Sequence, residues 1–240
     1  MRGFSPEREP IAERLQPGEF EYALLRSGRV SLIAEYKRRS PFDGEINEHE
    51  DVRSMVRKYE QGGAAAVSIL TQEEFGGSVD DVWGARCETH LPILAKGIYR
   101  NPEDFETLRK AGATAALIVV RKMGPALDSQ IDACHEAGLE PVVEVFDETD
   151  VARAFVQTPE PKLVLINNRD LATGEIDPTR AYRVEKEVPN KAVAIVASGI
   201  FERSQMAWYG RRGRSQAALV GTSLMRAEDP EAKVRELVGG

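Results

Sequence analysis

Residues 31–41 read Ser-Leu-Ile-Ala-Glu-Tyr-Lys-Arg-Arg-Ser-Pro, a short apolar run followed by charges of both signs. The apolar part, residues 32–34, is typical of a strand that is buried on both faces. Because side chains alternate along a strand, Glu35 and Lys37 point the same way where this strand leaves the core. The polar residues from Arg38 to Pro41 then begin a loop. This stretch therefore predicts a buried strand whose carboxyl end carries an acid and an amine.

The same unit, a strand followed by an amphipathic helix, occurs eight times along the chain. The predicted strands are Leu32–Tyr36, Ala65–Leu70, Ile93–Ala95, Ala115–Val120, Pro141–Val145, Leu163–Ile166, Ala192–Val196 and Ala217–Val220. The predicted helices are Glu50–Gln61, Val79–Thr89, Pro102–Ala111, Pro125–Ala137, Glu148–Val156, Pro178–Glu187, Glu202–Arg211 and Pro230–Leu237. This alternation predicts an α/β fold with a parallel sheet, and eight units favour a closed (βα)8 TIM barrel. The alternative, an open doubly wound sheet, would be supported by a GxGxxG after the first strand, and the sequence has none there.

The first thirty residues differ from the rest of the chain because they are mostly polar and interrupted by prolines. Short amphipathic helices are predicted over Ile11–Leu15 and Phe20–Leu25. We therefore expect residues 1–30 to form an N-terminal helical extension and residues 31–240 to form the barrel.

Composition restricts the class of protein. The 240 residues are 42% hydrophobic with a formal net charge of −7, which favours a folded protein with a small-molecule ligand over one that binds nucleic acid. Cys87 and Cys134 lack a metal-ligand spacing, so neither a zinc site nor a disulfide is expected. No stretch is typical of a membrane span or a signal peptide. We expect a cytoplasmic protein, monomeric or weakly dimeric, that does not bind membranes.

Polar residues follow the predicted strands at their carboxyl ends, where a barrel of this kind builds its active site. They are Glu35 and Lys37, Lys96, Glu144, the run Asn167, Asn168 and Arg169, then Ser198 with Gly199, and Gly221 with Thr222. Lysines and carboxylates in one mouth shift each other's pKa values and can perform acid–base chemistry near neutral pH. The last two loops combine glycines with hydroxyls and follow strands seven and eight, the usual phosphate position in this fold. Lys37 is a candidate cation for the same phosphate.

Several motifs in order resemble the indole-3-glycerol phosphate synthase family. They are Leu32-Ile-Ala-Glu-Tyr-Lys-Arg-Arg-Ser-Pro41, Gly62-Gly-Ala-Ala-Ala-Val-Ser-Ile-Leu-Thr71, Phe75 with Gly77-Ser78, Leu94-Ala-Lys96, Val142-Val-Glu-Val145, Ile166-Asn-Asn-Arg-Asp-Leu171, Ser198-Gly-Ile200 and Leu219-Val-Gly-Thr-Ser-Leu-Met225. The resemblance implies a lyase of tryptophan biosynthesis. Such an enzyme closes an indole ring on a carboxyphenylamino-deoxyribulose phosphate, with loss of carbon dioxide and water and without a cofactor or metal.

The resemblance also implies roles for individual residues. Lys96 is similar to the general acid of the family, which protonates the substrate carbonyl. Glu35 and Lys37 are similar to the pair at the end of the first strand, which transfers protons and binds substrate. Glu144 is similar to the carboxylate that stabilises developing positive charge. The remaining candidates are Asn167 and Arg169 for ordering the substrate, Phe75 and Phe42 for contacting it, and Ser198, Gly199, Gly221 and Thr222 with Lys37 for binding phosphate.

Three places in the predicted mouth depart from the family pattern. Ala197 stands where the family usually has Glu, Gly97 and Ile98 replace the Asp-Phe that usually follows the strand-three lysine, and Phe42-Asp43 replaces Ser-Lys. Phe42 could refill the aryl pocket that loses an aromatic residue at Ile98. Two alternatives follow from these departures: a paralogue that acts on another aryl-amine sugar phosphate, or a weakly catalytic barrel that binds a phosphorylated ligand.

Overall fold

The computed structural model describes residues 16–47, 50–157, 159–170 and 172–239. Within them, eight parallel strands follow one another around a closed barrel, and the last strand pairs with the first. The first to eighth strands are Ser31–Tyr36, Ala66–Leu70, Ile93–Lys96, Ala115–Val119, Glu140–Val145, Leu163–Asn167, Val193–Ala197 and Ala217–Val220. The predicted (βα)8 barrel is confirmed. The helix predicted over Ile11–Leu15 lies outside the described residues.

Side chains of each strand alternate between the barrel interior and the layer under the helices. In the first strand, Ile33 packs in the interior cluster with Leu94, whereas Leu32 and Ala34 pack in the outer cluster. The strand is buried along its whole length, as the apolar run predicted. Glu35 is two residues from Ile33 and therefore also points inward, at the carboxyl end of the barrel.

Helices cover the outside of the barrel. The longer ones after each strand are Val52–Gly62, Val79–Arg86, Pro102–Lys110, Leu127–Glu136, Glu148–Ala154, Arg180–Val184, Arg203–Arg212 and Pro230–Val238. Local sequence sets their ends: Asn101 and Asp104 form a capping box before the third helix, and Gly63, with a φ of 94°, closes the first. Among the described helices, none combines the length and the apolar character needed to cross a membrane.

The amino-terminal end of the barrel is covered by the helix Glu19–Leu25. Phe20 and Leu24 are fully buried in the interior cluster. The Glu140 carboxylate at the start of the fifth strand accepts hydrogen bonds from the backbone N–H groups of Phe20 (2.7 Å) and Glu21 (3.0 Å). The N-terminal segment therefore closes the end of the barrel opposite the predicted active site.

Several predicted helices are shorter in the structure, and a local cause is visible for two of them. The helix predicted over Pro125–Ala137 extends only over Leu127–Glu136. A separate short helix, Val120–Met123, directly follows the fourth strand. Gly124 has a φ of 54°, which is not helical, and therefore separates the two helices. The helix predicted over Pro178–Glu187 is only Arg180–Val184. Here the Asp177 carboxylate accepts a hydrogen bond from the Thr179 N–H, which holds the first residues in a turn.

Two further elements at the carboxyl end, besides the helix Val120–Met123 and the short 3-10 turn Glu73–Phe75, were not predicted. Arg39–Ser40 and Gly44–Glu45 pair as an antiparallel ribbon, and residues 40–44 form a loop, here called the strap, after the first strand. A short helix, Thr222–Met225, follows the eighth strand. Both elements border the mouth of the barrel.

Candidate active site

The carboxyl ends of the strands surround a cavity of about 440 Å³. Every site residue predicted from the sequence lines it: Glu35, Lys37, Phe42, Phe75, Lys96, Glu144, Asn167, Arg169, Ser198, Gly199, Gly221 and Thr222. These residues come from distant parts of the chain, and closure of the barrel brings them together. Their functional roles remain predictions.

Glu35 is the centre of the charged network in this cavity. One carboxylate oxygen lies 3.0 Å from the Lys96 amine and the other lies 3.3 Å from the Lys37 amine. The side chain of Glu35 is 3% exposed, so its charge is almost wholly removed from water and is balanced by the two lysines. A Cβ at Gly221 would lie 2.4 Å from a Glu35 carboxylate oxygen. Residue 221 must therefore remain glycine for Glu35 to keep this position.

A second group of hydrogen bonds connects strands five, six and seven. The Asn167 amide donates to Glu144 over 2.7 Å, and its oxygen accepts from the Ser198 hydroxyl over 2.8 Å. The same oxygen accepts from the Arg169 backbone N–H over 3.0 Å. Because nitrogen and oxygen of the amide each have suitable partners, the orientation of Asn167 is fixed. Asn167 thereby positions Glu144 in the cavity wall.

The pKa values of the central groups follow from burial and from neighbouring charges. Burial alone raises the pKa of Glu35, but Lys96 and Lys37 outweigh it, and the pKa lies below its ordinary value. Burial alone lowers the pKa of Lys96, but Glu35 and Glu144 outweigh it, and the pKa lies above its ordinary value. Burial raises the pKa of Glu144 although Lys96 and Asn167 oppose the effect. At neutral pH the cavity thus holds a protonated Lys96 beside an ionised Glu35.

The loop after the seventh strand has an unusual backbone. Ser198 has a φ of 71° and is the only non-glycine residue with a positive φ in the described part of the chain. Gly199 follows with a φ of 79°. A left-handed serine costs conformational energy, and such residues cluster at functional sites. In this conformation the Ser198 hydroxyl donates its hydrogen bond to the side-chain oxygen of Asn167.

The strap crosses the mouth and contacts two other loops. The Asp43 carboxylate pairs with Arg169 at 3.2 Å and accepts a weaker hydrogen bond from the Thr222 hydroxyl at 3.4 Å. Its backbone carbonyl accepts from Arg226 over 3.1 Å. Phe42 lies with its ring centroid 5.4 Å from the Arg169 guanidinium. The strap therefore connects the first strand to the loops after strands six and eight.

Similarity to known proteins extends over nearly the whole chain. A family model described as indole-3-glycerol phosphate synthase matches residues 8–237. Indole-3-glycerol phosphate synthase 1 of Streptomyces coelicolor is 35% identical over 229 residues, which are 95% of this chain and 84% of that protein. The chain belongs to the indole-3-glycerol phosphate synthase family. A second family member, from a Nocardioides species, is 38% identical over 217 residues, which are 90% of this chain and 82% of that protein.

Solved structures with low sequence identity share the barrel. A 3-hexulose-6-phosphate synthase from Salmonella typhimurium superposes with a TM-score of 0.69 at 18% identity, covering 88% of this chain and 97% of that chain. A thiamine phosphate pyrophosphorylase from Pyrococcus furiosus gives a TM-score of 0.63 at 12% identity, covering 90% of this chain and 96% of that chain. At these identities the likeness supports the fold alone.

Packing explains one departure from the indole-3-glycerol phosphate synthase pattern. A Cβ at Gly97 would lie 2.6 Å from the Thr71 hydroxyl and 2.8 Å from the Tyr99 hydroxyl. These two hydroxyls are 2.8 Å apart and hydrogen-bond to each other. Residue 97 therefore has no room for the aspartate usual in the family. Ile98 lines the cavity where the family usually has an aromatic residue.

The other departures change the charge of the mouth. Ala197 is 1% exposed and packs in the interior cluster with Leu219, just below the cavity. Asp43 introduces an acid where the family usually has lysine. This chain has thus lost a carboxylate from the seventh strand and gained one on the strap.

The structure also corrects the sequence reading of the strand ends. Asn168 does not face the cavity: its amide donates to the Tyr209 hydroxyl over 2.9 Å and accepts from the Ala181 N–H, which packs the sixth helix. Four charged residues that the sequence did not predict as site residues line the cavity, namely Asp43, Glu74, Lys122 and Arg226. Asp43 is an acid where the family motif usually has a lysine. This reversal of charge was the sequence signal that could have identified Asp43 as a cavity residue.

Proposed function

We propose that this chain is an indole-3-glycerol phosphate synthase, a carboxy-lyase of tryptophan biosynthesis. Its substrate is a carboxyphenylamino-deoxyribulose phosphate, and ring closure releases carbon dioxide and water. The observation that carries the proposal is the pairing of Lys96 with Glu35 at 3.0 Å inside the cavity of a barrel that belongs to this family. Neither alternative function is favoured by the comparisons.

Lys96 is the general acid in this proposal. The ring carbon that bears the carboxylate forms a bond to the carbonyl carbon of the sugar chain, while Lys96 gives a proton to the carbonyl oxygen. The carboxylate then leaves as carbon dioxide, and its bonding electrons restore the aromatic ring. Glu35 and Lys37 move protons as the new hydroxyl leaves as water. Glu144, held by Asn167, stabilises the positive charge that develops on the nitrogen during these steps.

The phosphate end of the substrate is assigned to strands seven and eight. Backbone N–H groups at Ser198-Gly199 and Gly221-Thr222 are candidate phosphate donors, and Lys37 supplies a cation. Arg169 orders the substrate between this end and the catalytic lysine. Phe75 and Phe42 are assigned to the aryl part of the substrate. The cytoplasmic location, the monomeric or weakly dimeric state and the domain boundary near residue 30 remain predictions.

The proposal is tested by incubating the purified chain with carboxyphenylamino-deoxyribulose phosphate and following indole fluorescence. We expect turnover in the wild type and a loss of at least about a hundredfold in kcat for Lys96→Ala, because alanine cannot donate a proton. Lys110→Ala is the matched control, since Lys110 is an exposed lysine at the end of an outer helix. Absence of turnover in a wild type that is folded by circular dichroism would refute the proposal. Equal rates for Lys96→Ala and wild type in single-turnover experiments would remove Lys96 from the acid role.

A further inference from the structure

Five basic side chains line the cavity, and they differ in how their charges are compensated. Lys37 and Lys96 share Glu35, and Arg169 pairs with Asp43. Within the described residues, the Arg226 side chain donates only to the backbone carbonyl of Asp43. Lys122 forms neither an ion pair nor a hydrogen bond with any residue that the structure describes. Two cations of the mouth, Lys122 and Arg226, therefore have no carboxylate partner in the part of the chain that the structure describes.

These two cations lie at opposite ends of the mouth. Lys122 belongs to the helix Val120–Met123, which follows the fourth strand, whereas Arg226 ends the helix after the eighth strand. In a closed barrel of eight sequential strands, the fourth and the eighth face each other across the axis. A ligand whose phosphate lies at the loops after strands seven and eight, and which spans the cavity, thus has its opposite end near Lys122.

The local surroundings of Lys122 suit a ring that carries an anionic group. Leu117 and Val119 of the fourth strand line the cavity beside it, and Ile98 adds an apolar surface from the third strand. The neighbouring Arg121 is not available, because it pairs with Asp147 and Asp150 on the outside of the cavity. Lys122 is exposed, so its amine can reach a group at the edge of the ring.

We propose that Lys122 is a specificity-determining residue that binds the carboxylate of the aryl ring. The substrate of the proposed function has one anion for each end of the mouth, because its ring carries a carboxylate and its sugar carries a phosphate. This inference rests on the proposed function. Lys122 acts in substrate recognition and leaves the proton transfers to Lys96. Glu74, the exposed acid that also lines the cavity, lies more than 4.0 Å from Lys122 and leaves the lysine free for a ligand.

The test compares two ligands and three variants in the full-length chain. The ligands are carboxyphenylamino-deoxyribulose phosphate and phenylamino-deoxyribulose phosphate, which lacks the ring carboxylate and serves as a competitive inhibitor. The variants are Lys122→Met, Lys122→Arg and the control Lys110→Met. We expect Lys122→Met to raise KM for the carboxylated substrate about tenfold and to leave kcat within about twofold, as for the loss of one charge-assisted contact. The inhibition constant of the carboxylate-free compound should change by less than about twofold, and Lys122→Arg should restore KM.

An unchanged KM in Lys122→Met, or an equal loss of affinity for both ligands, overturns the proposal. Calorimetric titration with both ligands, made in a Lys96→Ala background so that the carboxylated ligand is not consumed, separates this result from failure of the proposed function. In this titration, wild type refers to the chain in which Lys122 is unchanged. A wild type that binds the carboxylated ligand better than the carboxylate-free one, with the difference abolished in Lys122→Met, supports the role of Lys122 even without turnover. A wild type that binds neither ligand, or does not distinguish them, overturns it.

Discussion

Residue 197 is one of the positions in the mouth where a single side chain departs from the family pattern. Ala197 points into the barrel just below the cavity, between Asn167 and Leu219 in the register of the sheet. A glutamate at this position would bring its carboxylate up into the mouth, beside Asn167 and towards Lys96. There it could stabilise positive charge or accept a proton.

We therefore expect Ala197→Glu to raise kcat on carboxyphenylamino-deoxyribulose phosphate by several-fold. The same change should lower Tm by a few degrees, because a charge enters a mostly apolar layer. Indole fluorescence measures the rate, and thermal unfolding followed by circular dichroism measures Tm. Ala197→Gln is the control of equal size. An equal gain in both variants would exclude the charge as its cause, and a lower kcat in Ala197→Glu would indicate a pocket adapted to the absence of this carboxylate.

At the level of single residues, the sequence could predict which side chains meet at the carboxyl ends of the strands. It could not predict which positions are too crowded to hold a side chain. Glu35 and Lys96 are 61 positions apart, yet their contact follows from the rule that carboxyl ends of parallel strands meet at one end of a barrel. No comparable rule relates Gly97 to Tyr99, whose hydroxyl turns back into the space a side chain at 97 would need. The pairing of Asp43 with Arg169, 126 positions apart, likewise depends on the path of a loop.

The strap carries a negative charge at the proposed phosphate end of the cavity. Its Asp43 carboxylate contacts Arg169 and Thr222, and Thr222 is a candidate phosphate-binding residue. A phosphate bound at the loop after the eighth strand would therefore lie close to this negative charge. Repulsion between the two anions weakens binding.

We expect Asp43→Asn to bind inorganic phosphate about tenfold more tightly than wild type, because asparagine keeps an acceptor for Thr222 but removes the charge. Isothermal titration calorimetry with phosphate measures the change at constant ionic strength. Asp128→Asn, on an exposed outer helix, is the control for net charge. Weaker phosphate binding in Asp43→Asn would indicate that Asp43 mainly positions Arg169 for the anion.

The N-terminal helix is an element that supports the barrel from the end opposite the cavity. Glu140 accepts two backbone hydrogen bonds from the first turn of this helix. Glu140→Ala should destabilise the fold by about 1–2 kcal/mol, as for the loss of a helix cap, and lower Tm by about 3–6 °C in a chain of this size. The kcat measured well below Tm should stay within about twofold of wild type, since none of the cavity residues is touched. Differential scanning calorimetry and the fluorescence assay together test this separation. A large fall in kcat with an unchanged Tm would contradict it.

For the molecule as a whole, the sequence predicted the architecture better than the connections at its rim. Eight apolar runs, each followed by a helical pattern, predicted the closed (βα)8 barrel. The division of the helix after the fourth strand was missed because Val119 and Val120 continue the β-branched run, although helix begins at Val120. The antiparallel ribbon of the strap was missed because its strands are only two residues long. Periodicity cannot be recognised in so short a segment.

The charge network of the mouth is a property of the whole barrel, because strands one, three and five each supply one of its members. Glu144 has a pKa above its ordinary value of 4.5 because burial outweighs Lys96 and Asn167. Lys96 has a pKa above its ordinary value of 10.5 because Glu35 and Glu144 outweigh burial. If catalysis needs an ionised Glu144 and a protonated Lys96, activity falls on the acid side as Glu144 takes up a proton. It falls on the alkaline side as Lys96 loses one.

The kcat of the wild type should therefore have an acid limb at a pH above 4.5 and an alkaline limb at a pH above 10.5. Single-turnover rates measured by indole fluorescence test this profile without interference from product release. In Glu144→Gln the acid limb assigned to Glu144 should disappear. The alkaline limb should move to lower pH, because Lys96 loses one of the two carboxylates that raise its pKa. Glu148→Gln, on the outer helix after the same strand, should leave both limbs in place. An alkaline limb near neutral pH in the wild type would show that the pKa of Lys96 is depressed. That result would contradict the raised pKa that the pairing with Glu35 predicts.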